Sequence, residues 1–188
     1  MLQDLVSDEY GESSLRQYAA EALGKIGAPE SLDTLISALD DEDSILRAYA
    51  TAALGAYDGP AVAEALQDGL RDSYWRVRVA ALTGLAGGHH IESLRAIEYK
   101  ALHDPESPVR QQAVRTLAAL DSTEAFDILR SLALNATRPE ADRLLAVQLL
   151  VESDLEASLG TVAELLDVEW DVEDSRLLDG AARALNAT

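Results

Sequence analysis

The sequence predicts an all-α fold, a right-handed α-solenoid (an α-α superhelix) of about twelve helices stacked as antiparallel pairs. Three observations predict it. Arginines recur at Arg16, Arg47, Arg78, Arg110 and Arg143, at spacings of 31, 31, 32 and 33 residues. Ala follows three positions later, at Ala19, Ala50, Ala81, Ala113 and Ala146, and Leu seven positions later, at Leu23, Leu54, Leu85, Leu117 and Leu150. Breakers such as Gly27-Ala28-Pro29, Asp58-Gly59-Pro60 and Gly87-Gly88 split the units in two, and no segment alternates apolar and polar residues as a strand would.

Taken in order, Leu2, Leu5 and Val6 make residues 1–10 a short amphipathic helix that caps the array or continues a preceding repeat. Units follow at about 12–41, 42–72, 73–104, 105–136 and 137–168, with a partial unit at 169–188, all within one domain over 1–188. In the first unit Leu15, Ala19, Leu23 and Ile26 keep helical spacing; Leu32, Leu35, Ile36 and Leu39 resume it after the breaker. The acidic turn Asp40-Asp41-Glu42-Asp43 closes that unit. Ser107 ahead of Pro108 reads as a helix cap, and Thr137 with Glu140 as a capping box. The last unit, LLDGAARAL at 177–185, matches LRQYAAEAL at 15–23, with Leu178 where the arginine belongs. The Ala column lets neighbouring first helices approach closely, and the Leu column fills the layer between helices. Six positions before three of the arginines stand Asp41, Asp72 and Asp104. A carboxylate beside a helix N-terminus, paired with Arg along successive repeats, is a structural device recurring in each central unit.

The pattern of an apolar residue, Arg, Ala three later and Leu-Gly at Leu23-Gly24 and Leu54-Gly55, then a Gly-x-Pro turn, resembles the HEAT-like repeats first associated with phycobilin lyases. The resemblance covers about residues 12–186 and departs from the pattern at Asp142, Leu178, Ala86, Ala118 and Val151. It implies the solenoid fold. It also implies, as one possible activity, a lyase that would hold a tetrapyrrole bilin against a concave surface and pass it to a phycobiliprotein cysteine. The deoxyhypusine hydroxylases have a similar architecture and bind iron through His-Glu dipeptides, but this chain has none.

Charge narrows the partners. The chain has 188 residues, with 34 Asp and Glu against 15 Lys and Arg, a formal net charge of −19. That excess repels phosphate backbones and anionic bilayers, so neither nucleic acid nor membrane is an expected partner. Only Lys25 and Lys100 are lysines. Abundant carboxylate with scarce lysine is similar to the proteins of halophilic archaea, where dense salt screens self-repulsion. Absent cysteine removes thiol chemistry and cysteine-ligated metal. No apolar run approaches the ~18 residues of a membrane span, and Met1 to Tyr10 is acidic, so a cytoplasmic location is expected.

Catalytic chemistry finds no foothold. His89 and His90 follow Gly87-Gly88 in a turn and, with His103, read as solvated loop residues rather than metal ligands. The acidic turn at 40–43 lacks the glycine and spacing of a calcium loop. We therefore expect no cofactor, no metal and no active site, and a scaffold whose second helices line a concave surface that docks another protein. One position stands apart. Where other units carry Glu12-Ser13, Asp43-Ser44, Glu106-Ser107 or Pro139-Glu140, the third carries Tyr74-Trp75, flanked by Arg71, Arg76 and Arg78. Aromatics beside arginine are the residue types of binding hot spots. Alternatively, Trp75 folds back on Val79 as a hydrophobic staple.

Overall fold

The computed structural model describes residues 1–153 together with 158, 160, 161 and 164. The expected partial unit at 169–188, with Leu178, lies outside the described residues, as does much of 154–168. Ten α-helices run in chain order among the described residues, without a strand. They are α1 (Leu2–Ser7), α2 (Ser13–Ile26), α3 (Leu32–Ser37), α4 (Ser44–Leu54), α5 (Pro60–Gly69), α6 (Trp75–Gly87), α7 (Leu94–His103), α8 (Ser107–Ala119), α9 (Thr123–Leu134) and α10 (Glu140–Ser153).

The even-numbered helices carry the Arg, Ala and Leu columns and form one layer; the odd-numbered helices form the other. Between the layers the columns are sealed from solvent, with Ala50, Ala81, Ala113 and Ala146 and their partners Leu54 and Leu85 fully buried. Leu35, Leu66, Ile97 and Leu129 close the core from the odd-numbered side. Burying a Leu-sized side chain contributes roughly 1.5–3 kcal/mol, so one such pair per unit gives every repeat an apolar seal.

The two layers are spaced unequally. Even-numbered helices pack directly on one another, α2 on α4, α4 on α6, α6 on α8 and α8 on α10, whereas successive odd-numbered helices touch sparsely. Small residues cause the difference. A Cβ placed on Gly24 would stand 2.7 Å from Ala53 Cα, and one placed on Gly55 would stand 3.4 Å from Gly84 Cα. A two-layer stack bends toward its tighter row, so the inner, concave face belongs to the even-numbered helices. The closer packing of the first helices argues against the expectation that the second helices line it. Propensity patterns locate helices but not which layer has the shorter arc.

Capping also differs from expectation in detail. Ser107 is the first helical residue of α8, Glu106 holds the cap position, and Pro108 follows within the first turn, where a missing N–H costs nothing. Thr137 forms no capping box. Its N–H and hydroxyl both donate to Asn135 Oδ1, at 3.0 and 2.7 Å, so a local Asx turn captures it. The breakers behave as read. Gly27 ends α2 in the left-handed region at φ 63°, and Gly59, at φ 117°, leads into Pro60.

Candidate functional site: the inner helix row

The repeat arginines form a ladder inside the stack. Each rung joins one repeat arginine to the carboxylate that precedes the next repeat arginine: Arg16 to Asp41, Arg47 to Asp72, Arg78 to Asp104 and Arg110 to Asp142. Arg47 is bidentate at 2.8 and 3.0 Å, and Arg78 is bidentate at 2.8 and 2.8 Å. The same guanidinium also donates backward to its own connector, Arg47 to the Asp41 carbonyl, Arg78 to that of Asp72 and Arg110 to that of Asp104. The Asp side chains in turn accept N–H groups two residues on, from Asp43, Tyr74 and Glu106. In the end units Arg16 donates to the Val6 carbonyl and Arg143 to that of Ala133. The three-way geometry explains why Arg is needed: a planar fork satisfies two neighbours where Lys offers a point charge.

Asp142 breaks the apolar pattern because it takes over the ladder. The connector before α10 has Thr137 at the usual aspartate position, and Arg110 reaches instead into the helix to Asp142 at 2.7 Å. The substitution is imperfect, since Asp142 Oδ1 is buried without a hydrogen-bond partner. The sequence signal was present in the paired loss of one Asp and gain of another five residues later.

Burial pushes the Asp72 and Asp104 carboxyls up, but hydrogen bonds from Arg47 and Arg78, and from the Tyr74 and Glu106 N–H groups, outweigh it. Both are held below the ordinary 3.8. A depressed folded-state pKa stabilises fully above the unfolded value and loses that contribution as pH falls through the lower folded value. Urea midpoints should therefore hold steady above about pH 5 and drop as pH falls below about 4. Asp104→Asn should flatten the drop; an equally steep acid limb in that variant would remove the ladder as its cause.

The predicted contact residues are dispersed in role. Tyr74 caps α6 and stands 6.3 Å, centroid to centroid, from Trp75. Trp75 is partly buried against the core, as is Val79, and the Arg76 guanidinium lies 5.3 Å from the indole centroid. Arg71 faces solvent and pairs with Asp68 at 2.7 Å. His90 corrects the solvated-loop reading: it is buried, folded over Gly88, with Nδ1 2.9 Å from Glu92 Oε1. His89 and His103 are exposed, and no group of three potential ligands clusters among the described residues. In the acidic turn, Asp41 is spent on Arg16 and Asp43 caps α4 by accepting the Ile45 N–H at 2.8 Å.

The inner face itself differs from the rest of the surface. On each even-numbered helix it is defined by positions two before, two after and five after the repeat arginine, one stripe by helical geometry. On α4 these are Ile45, Tyr49 and Ala52; on α6, Arg76, Ala80 and Thr83; on α8, Pro108, Gln112 and Arg115. None is acidic. Between α2 and α4 the stripe opens into a groove of about 340 Å³ lined by Gly24, Tyr49, Ala52 and Ala56, with the paired Glu21 and Lys25 at its edge. The odd-numbered helices show the opposite surface, with Asp33, Glu64, Asp68, Glu124 and Asp127 exposed. No helix among the described residues is long and apolar enough to cross a membrane.

A family model described as HEAT repeats matches residues 5–86 and 63–150. No curated protein sequence matches the chain. Among solved structures it is similar to the complex of CpcE and CpcF of phycocyanin lyase from Nostoc, at 20% identity and TM-score 0.56, over 97% of this chain and 80% of that one. It is also similar to human deoxyhypusine hydroxylase, at 21% identity and TM-score 0.53, over 98% and 71%. A computationally designed armadillo repeat protein for modular peptide recognition is similar at 16% identity and TM-score 0.52, over 100% and 99%. At these identities the likeness is one of fold.

Proposed function

Because this chain belongs to the HEAT-repeat family, we propose that it is a non-catalytic adaptor that binds another protein along its inner helix row. The supporting observation is the carboxylate-free stripe of α4, α6 and α8 in a chain of net charge −19. A surface that excludes the chain's commonest charge, while offering small and aromatic side chains, suits contact with a polypeptide. Tyr74, Trp75, Arg71 and Arg76 extend this surface at the α6 end. The bilin-lyase alternative shares the fold and is separated by a spectrum: titration with a free bilin should leave its visible absorbance unchanged. A bound, shifted chromophore would replace the adaptor reading.

The aromatic pair gives the direct test. Tyr74→Asp with Trp75→Ser restores the polar residues of the other units and should remove capture of the partner from native extract while leaving the melting temperature within a few degrees. If the pair is a staple, the double change costs on the order of 1–3 kcal/mol and the folded fraction still binds. That second pattern would exclude a contact role.

We further propose a high-salt cytoplasmic setting. The ~10 Å Debye length at 0.1 M salt leaves repulsion among nineteen uncompensated charges partly unscreened, and molar KCl shortens it to ~3 Å. The melting temperature should rise between about 0.1 and 2 M KCl, the range over which screening completes. A flat response removes the halophile assignment and leaves the fold untouched.

A further inference from the structure

Among the described residues, two exposed arginines of the inner row, Arg76 and Arg115, take part in no ion pair. Others engage a carboxylate: Arg16, Arg47, Arg78 and Arg110 in the ladder, Arg71 with Asp68, Arg95 with Glu98 and Glu124, and Arg130 with Glu164. Arg138 and Arg143 donate to backbone carbonyls. Arg76 and Arg115 are exposed, on adjacent helices of the inner row, and no carboxylate meets either among the described residues. In a chain with 34 carboxylates, two exposed cations are thus left without a paired acid among the described residues. Arg76 is also steadied by the Trp75 ring beneath it.

Their separation follows from the repeat. Arg76 lies two positions before its repeat arginine and Arg115 five after its own, a seven-residue axial offset. That offset is about 10.5 Å along the helix direction. Adjacent helix axes lie roughly 9 Å apart, which puts the two Cα positions about 14 Å from one another. An extended chain rises about 3.3 Å per residue, so two side chains roughly four residues apart would meet both guanidinium groups. Between them lie Ala80, Thr83 and Gln112, small or neutral, leaving room for a backbone to cross. Acidic residues gather instead at the connectors, as at Glu42 and Glu106, so the cationic stripe has negative margins.

We propose that the inner face across α6 and α8 binds an acidic segment of a partner protein in extended form, with two carboxylates about four residues apart pairing with Arg76 and Arg115. The proposal rests on the adaptor reading and names its partner's chemistry. The chain's own negative field limits such a segment to few charges, and salt screening relaxes that limit, so the two arginines select position rather than bulk charge.

The test uses the full chain and three fluorescent nonapeptides of leucine and serine that differ at two positions four apart, carrying Glu, Gln or Lys. Anisotropy should show the Glu peptide binding at least about tenfold more tightly than the Gln peptide, a preference that Arg76→Gln with Arg115→Gln abolishes. Arg76→Glu with Arg115→Glu should transfer it to the Lys peptide. Both sites are exposed, so circular dichroism should show the variants folded. Equal affinity for Glu and Gln peptides, or a Glu preference that survives both double variants, overturns the proposal and leaves the adaptor reading standing. No binding of any peptide overturns the proposal, and the adaptor reading then stands or falls on the capture experiment alone. Tighter binding of an oligothymidine than of the Glu peptide would reassign the arginines to phosphate and overturn the proposal as well.

Discussion

Arg78→Ala and Asp104→Ala should each lower the stability of the folded chain by about 3–5 kcal/mol, because each leaves a buried charge without its partner. The Asp104 side chain is 1% exposed and that of Arg78 8%, so water cannot replace the lost group. For a chain of this length the loss corresponds to roughly 10 °C in melting temperature. The two variants are not equivalent. Without Arg78, Asp104 keeps Lys100 at 3.3 Å; without Asp104, Arg78 keeps only the carbonyls of Asp72 and Ser73. Asp104→Ala should therefore be the more damaging. Replacing both at once, Arg78→Met with Asp104→Leu, should cost less than either single change, since two apolar groups leave no orphaned charge. Arg71→Ala, which breaks an exposed pair, should be near neutral. Urea unfolding of the five proteins checks the order, and a double variant worse than both singles would refute the desolvation argument.

Gly24→Ala is the second large effect, and its sign runs against propensity. In a helix, Ala in place of Gly ordinarily stabilises by about 1 kcal/mol. At Gly24 the new Cβ would lie 2.7 Å from both Cα and Cβ of Ala53, where the obstacle is backbone and α2 must move away from α4. We expect a net loss of about 2 kcal/mol as the inner row is forced open. Gly84 provides the control. There the clash, at 2.9 Å, is with the two terminal methyl carbons of Leu66, which can rotate aside, so Gly84→Ala should stay within about 1 kcal/mol of the parent. Thermal melts of both variants decide it; equal behaviour would mean that the close approach of α2 and α4 does not limit the stack.

Much of this architecture was legible as spacing. The Arg, Ala and Leu columns mark one helix of each pair because the same packing problem recurs every 31–33 residues, and identical problems select identical residues. The rungs were legible for the same reason wherever Asp sat six positions before the next Arg. The fourth was marked only indirectly, by an aspartate missing at Thr137 and gained at Asp142 on the helix, and the distance to Arg110 shows that the two changes belong together. Curvature was invisible to pattern as well. It follows from how closely Gly24 and Ala53 approach compared with the sparse contacts between successive odd-numbered helices; small residues permit that approach, but their pattern does not measure it. His90 hides for a related reason: a histidine after two glycines looks like a loop residue until the ring is seen folded over Gly88.

The displaced rung has a consequence for how such an array can lengthen. In the earlier units the connector is gripped twice, its Asp side chain by the preceding arginine and its Asp carbonyl by the following one, so its length is bound to the helix register. Between α9 and α10 that grip is gone. Arg110 holds the helix through Asp142, Arg143 holds the Ala133 carbonyl, and the connector's own tie is Arg138 to the Ala101 carbonyl. The arginine spacing there is 33 residues, the longest in the chain. Moving one carboxylate from turn to helix thus uncouples connector length from stacking. It creates a seam at residues 135–139 where the gene could gain codons, or host a grafted module, without dislodging a rung.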